Sequence, residues 1–209
     1  MDDKITLGLL VVAGFIGTAV AAPALAQAVE SFLNIEKAEV AANDELEATL
    51  TAEGVIPTDG SEGAFGYGIL TEDGDAILVA TTHAGVLDSE EQSSMEDPTW
   101  HTHLVRLGDI AECGEDQGVV DITWQSPGQV EINDNIASVS GVGTDEFEGS
   151  DSITGEDLSM TLGEDVSNVV SFRLNPIFDE QAGLQAVCVT DIMAADDIDV
   201  NSIAQPQQQ

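Results

Sequence analysis

Apolar residues in this chain recur at every second position, in short runs cut off by Gly, Asp, Asn and Ser, over most of its length beyond residue 44. Successive side chains of an extended strand point to opposite faces, so this period suits strands and does not suit helices. The pattern predicts strands over 46–52, 64–71, 76–83, 100–107, 119–125, 129–132, 136–142, 168–175 and 184–191. Short strands at this spacing, with turn residues between them, indicate an all-β fold: an antiparallel β-sandwich or a barrel-like single domain over 44–193. Asp73-Gly74, between Gly68 and Val79, predicts a hairpin whose tight turn uses positive φ angles. Turns at Ser126-Pro127-Gly128 and Asn133-Asp134-Asn135 make 119–142 a three-stranded meander, and the polar, acidic stretches 86–97 and 143–165 read as surface loops.

The two ends differ from this body. Residues 5–26 are an apolar stretch long enough to cross a bilayer, but Pro23 followed by Ala24-Leu25-Ala26 has the small-x-small form of a signal-peptidase site. A signal peptide over 1–26 is expected, with a mature start near Gln27. The first four residues, Met1-Asp2-Asp3-Lys4, carry no net positive side-chain charge, which leaves a retained anchor as the alternative. The Ala-rich segment 27–43 reads as a helical or linker segment, and 194–209, acidic and ending in Gln205-Pro206-Gln207-Gln208-Gln209, as a disordered tail.

Charge excludes two classes of partner. With 40 acidic residues against 4 basic ones, the net charge is -36, and no two cations are neighbours. Nucleic acid and anionic membrane surfaces both need basic patches, so neither is expected as a partner. Such self-repulsion calls for screening by salt, as in a halophilic or marine setting. Hydrophobic residues still make up 43% of the chain, enough for a core. Cys113 and Cys188 are its 2 cysteines, and an even count in an exported chain predicts one disulfide; two buried free thiols are the alternative.

The 3 histidines, His83, His101 and His103, fall within 21 residues. On a strand His101 and His103 share a face, and His83 closes a preceding strand that could lie alongside. Nitrogen ligands suit a copper or zinc ion, and three of them with an open fourth position would be the catalytic pattern. Asp97 and Asp121 are candidates to orient those rings by hydrogen bonding to them. The alternative is three histidines that only make ordinary surface or packing contacts. Oxygen-rich turns at Asp73-Gly74-Asp75, at Asp145, Glu146, Glu148 and Asp151, and at Glu164-Asp165 could hold calcium loosely, but lack any calcium-loop spacing and read better as solvated acid. G-x-S-x-G, P-loop and His-Glu-x-x-His patterns are missing, which disfavours a serine or cysteine hydrolase and leaves enzyme status undecided. Trp100, Trp124, Phe65, Tyr67, Phe172 and Phe178 are expected in the core.

Two resemblances bear on this. The Asp73-Gly74 hairpin followed by Trp100-His101-Thr102-His103 resembles chordin-type secreted domains, which carry an Ala-His-x-His motif in an antiparallel sandwich; His101 and His103 match it, while Trp100 and Leu104 depart from it. The segments Thr82-His83-Ala84-Gly85-Val86-Leu87-Asp88, Asp97-Pro98-Thr99-Trp100-His101, Val169-Val170-Ser171-Phe172 and Ala186-Val187-Cys188-Val189 are similar to exported proteins of ammonia-oxidising archaea. That similarity implies a cell exterior and leans toward copper, without implying an activity. The function expected is an extracellular metal-binding β-domain; a structural or adhesive module contacting other cell-surface proteins is the alternative.

Overall fold

The computed structural model of the protein describes residues 30–181 and 183–200. A 3-10 turn, Ser31–Leu33, leads into β1 (Ile35–Ala42), β2 (Glu45–Ala52), β3 (Phe65–Thr71), β4 (Ile77–Thr82), β5 (His101–Asp109) and β6 (Gln117–Ile122). There follow β7 (Gln129–Asn133), β8 (Ile136–Gly143), β9 (Glu146–Ser150), β10 (Asp157–Thr161), β11 (Val166–Phe178), β12 (Leu184–Ala194) and β13 (Ile198–Val200). Six strands close into a barrel in the order β11-β12-β6-β5-β4-β3, and five form a sheet in the order β13-β1-β2-β8-β7. The fold is all-β, as the period-two pattern requires.

The sheet packs against the barrel, and this explains the two apolar clusters. Val40, Leu46, Leu50 and Val139 of the sheet share one buried cluster with Phe65, Tyr67, Leu78 and Leu104 of the barrel. The alternate residues of the same barrel strands, Val79 and Val105 with Val119, Ile122, Phe172 and Val189, make a second cluster inside the barrel. The first half of β5 is therefore covered on both faces, with His101 to Val105 buried without a break. Polar groups carried into the layer are satisfied, with the Tyr67 hydroxyl donating to the Phe32 carbonyl (2.6 Å) and Trp100 Nε1 to the Pro57 carbonyl (3.0 Å).

Several local expectations are corrected. The expected helical or linker segment supplies β1 instead, because Ala38, Val40 and Ala42 face the barrel and small side chains let the sheet lie close; tertiary packing overrides alanine's helix propensity. Within 143–165 lie β9 and β10, with Met160 and Leu162 fully buried, so this is no surface loop. The expected meander is divided: β6 pairs β5 and β12 in the barrel, while β7 and β8 pair in the sheet. The expected disordered tail contributes β13, parallel to β1. Phe178 is 45% exposed rather than in the core. At the β3–β4 hairpin Gly74 is needed for closeness, not for positive φ, since a Cβ there would lie 1.8 Å from the Leu162 carbonyl oxygen.

The expected disulfide is present. Cys113 and Cys188 are bridged with Cα atoms 5.4 Å apart. It sits on the barrel's narrowest seam, where β12 meets β6 in only two register pairs, Cys188 with Gly118 and Val189 with Gln117. Among the described residues no helix is long and apolar enough to cross a membrane. The expected signal peptide lies outside the described residues.

Candidate metal centre

The register of β4 and β5 builds the site. Thr81 stands opposite His101 and Val79 opposite His103, so the inward face of β5 carries both histidines, and His83, two residues beyond Thr81, adds a third ring to that face. The rings stand in a row at one end of the barrel, with centroids 5.0 Å apart for His83 and His101 and 4.8 Å for His101 and His103. Trp100 on the opposite face stacks on Tyr67 and fixes the start of β5, which turns His101 inward.

A fourth residue joins them. Asp88, from the loop between β4 and β5, points back over the rings: its carboxylate lies 3.3 Å from His83 Nε2, 3.5 Å from His101 Nε2 and 3.7 Å from His103 Nε2. One ligand atom from each of His83, Asp88, His101 and His103 can be chosen so that all lie within 4.8 Å of one another, an arrangement that could hold one metal ion. Sequence reasoning missed Asp88 because it lies in a loop full of acids. Its side chain is half-buried while Glu90 and Glu91 stay exposed, a difference that nothing in the local sequence pattern marks.

Hydrogen bonds fix which atoms face the centre. His101 Nδ1 lies 2.7 Å from the Thr99 carbonyl and His103 Nδ1 2.6 Å from the Thr123 carbonyl. A carbonyl only accepts, so each Nδ1 carries the proton and, in the neutral ring, each Nε2 presents a lone pair. Outer partners of this kind are how metal-binding histidines are oriented. His101 Nε2, His103 Nε2, His83 Nδ1 and Asp88 Oδ1 are buried and have no hydrogen-bond partner. Burial would raise the Asp88 carboxyl, but with protons on the facing ring nitrogens the histidines outweigh it and hold it well below the usual carboxylate range; a cation standing in place of those protons would favour the same negative charge.

The His83 contact at 3.3 Å is within hydrogen-bond reach, and the other two are longer. Separations of 3.5 and 3.7 Å are long for hydrogen bonds. Ligands at 2.0–2.2 Å from a tetrahedral ion stand about 3.3 to 3.6 Å apart, and the two edges meeting at Asp88 Oδ1 are near that spacing, while His83 Nε2 approaches Oδ2. The widest separation among the four ligand atoms, up to 4.8 Å, exceeds a tetrahedral edge by more than about 1 Å, so binding an ion requires those two groups to close by that much.

The loop that carries Asp88 is held from within. Gln92 accepts from the Asp88 amide (3.1 Å) and donates toward the carbonyls of Val86 (3.3 Å) and Asp97 (3.2 Å). Asp97 touches no histidine, but its Oδ1 accepts from the amide and hydroxyl of Thr99, the residue whose carbonyl orients His101. Asp121 is directed elsewhere and pairs with Arg106 at 3.2 Å. The acidic turn at Asp73 caps the Glu164 and Asp165 amides, and Asp75 pairs with Arg106, so these carboxylates are occupied in structure.

No protein-family model matches this chain, and no match is found among curated proteins or solved structures. Function therefore has to be read from the site.

Proposed function

We propose that this protein is an extracellular β-barrel protein that binds one zinc or copper ion through His83, Asp88, His101 and His103. The observation that carries the reading is that His101 Nε2, His103 Nε2 and Asp88 Oδ1 are buried, unpartnered and close together, with a nitrogen of His83 within 4.8 Å of them. Burying each such group without a partner costs about 1–3 kcal/mol, and lone pairs facing a carboxylate repel; one cation relieves all of these at once. Three imidazoles and one carboxylate suit zinc once drawn into a tetrahedron, whereas a flatter arrangement would favour copper(II). An exported location accords with the Cys113–Cys188 bridge and with the apolar leader read from the sequence. Elemental analysis of untagged protein, followed by zinc and copper titration of the parent and of His101→Ala, tests this. One ion per chain, lost in the variant, is expected; equal weak uptake by both proteins would mean that the acidic surface merely collects cations.

A further inference from the structure

The ion site opens into the barrel. A cavity of about 780 Å³ occupies the interior, and His83, Asp88 and His103 form part of its wall. The remainder is mostly apolar, with Val79, Val105, Val119, Phe172 and Val189 prominent beside the uncharged polar Thr81, Gln117, Ser152 and Gln185, and Asp88 is the only carboxylate on it, with no Lys or Arg. That is a sharp local exception in a chain with 40 acidic residues. The size falls within the range of small-molecule sites, and a mostly apolar wall with a small number of polar groups is their usual composition.

The cavity mouth is apolar as well. Among the described residues, every large apolar side chain left exposed, Val55 and Val200 excepted, lines this cavity; Ile153 is 58% exposed and Met95 51%. Both borders of the β6–β12 seam contribute, with Val120 from one and Leu184 from the other. Scattered single apolar residues on a surface need no explanation, but exposed ones collected around one opening do.

We propose that the barrel interior binds a small, uncharged, largely apolar molecule that enters over the Ile153 and Phe178 rim and presents one oxygen or nitrogen to the ion. Charge selects the class: a net charge of -36 repels anions, and Asp88, already faced by three histidines, is not free to receive a cationic ligand. The apolar wall retains the body of the molecule, and its donor atom joins the coordination shell as a fifth ligand. The contact with the ion rests on the proposed function; occupancy of the cavity does not.

Nile red, uncharged and sensitive to polarity, is the probe for the cavity, and 4-phenylimidazole at pH 8 the probe for coordination. With zinc-loaded protein, Nile red should bind at one saturable site with blue-shifted emission, and 4-phenylimidazole should displace it. The same compound should change the visible spectrum of cobalt-substituted protein. Val119→Phe, which fills the interior, and Ile153→Asp, which charges the rim without touching the core, should each weaken Nile red binding at least about tenfold at unchanged zinc stoichiometry. Absence of a saturable site, or binding unaffected by both variants, overturns the proposal; displacement without a change in the cobalt spectrum overturns its coordination clause. Zinc uptake without Nile red binding removes the cavity and keeps the metal reading. Nile red binding without metal uptake removes the metal reading and keeps the cavity.

Discussion

Asp88 Oδ1 stands 3.5 Å from His101 Nε2, beyond a good hydrogen bond and at the spacing of two ligands on one ion. Asp88→Asn keeps the shape and removes the charge. Zinc affinity should fall by more than the ~10–100-fold that loss of an outer partner costs. The metal-free variant should melt no lower than the metal-free parent, because a buried charge facing ring lone pairs has gone. Competition titration and thermal unfolding of both forms check this; unchanged affinity would remove Asp88 from the centre.

Gln92 ties the Asp88 amide to the carbonyls of Val86 and Asp97 and is buried. Gln92→Ala should cost about 1–3 kcal/mol of unfolding free energy by leaving these groups unpaired. It should also lower metal affinity ~10–100-fold, since Asp88 loses its support. Denaturant melts and zinc titration of this variant measure the two effects.

How far the site was legible follows from these residues. His101 and His103 share a face because the strand period is two, and that is visible in sequence. The place of His83 depended on β4 lying beside β5, which the long loop between them permits and only register establishes. Asp88 and Gln92 act through a loop whose path is set by its own internal hydrogen bonds, for which no periodicity exists to read. The fold divides in the same way. Alternation gave away most strands, but β1 was hidden by alanines whose helix preference yields to packing, and β9 and β10 by their Gly, Ser and acid content. Assignment of β6 to the barrel and β7 to the sheet is a long-range choice that adjacent turn residues do not encode.

The Cys113–Cys188 bridge clamps a seam of only two register pairs, and a Cβ on Gly118 would lie 3.0 Å from Cys113 Sγ, so sulfur and backbone are in close contact there. Reduction should cost roughly 2–4 kcal/mol, below the loop-entropy maximum for so long a loop. Unfolding with and without reductant measures it. Hydrogen exchange should rise first at Gly118 and Val189; uniform loosening of the whole barrel would contradict the seam account.

Hydrogen bonds from Ser93 and then Thr99 hold the Asp97 carboxyl below the usual carboxylate range. A depressed folded-state value means that the stability Asp97 contributes is present above the ordinary carboxylate value of about 4 and is lost as pH falls toward its folded value. Asp97→Asn should therefore be less stable than the parent at neutral pH, with the gap closing in acid. A gap constant from pH 7 to pH 2 would contradict the assignment.

The central claim is that one ion is held by three imidazoles and a carboxylate. X-ray absorption at the metal edge of protein loaded with one equivalent of zinc tests it most directly, because imidazole rings scatter in a way that carboxylates do not. The account predicts a first shell of three nitrogens and one oxygen at about 2.0–2.2 Å, with outer-shell scattering from three rings. A shell of oxygens alone, with no imidazole scattering, would contradict it and place the ion on the acidic surface.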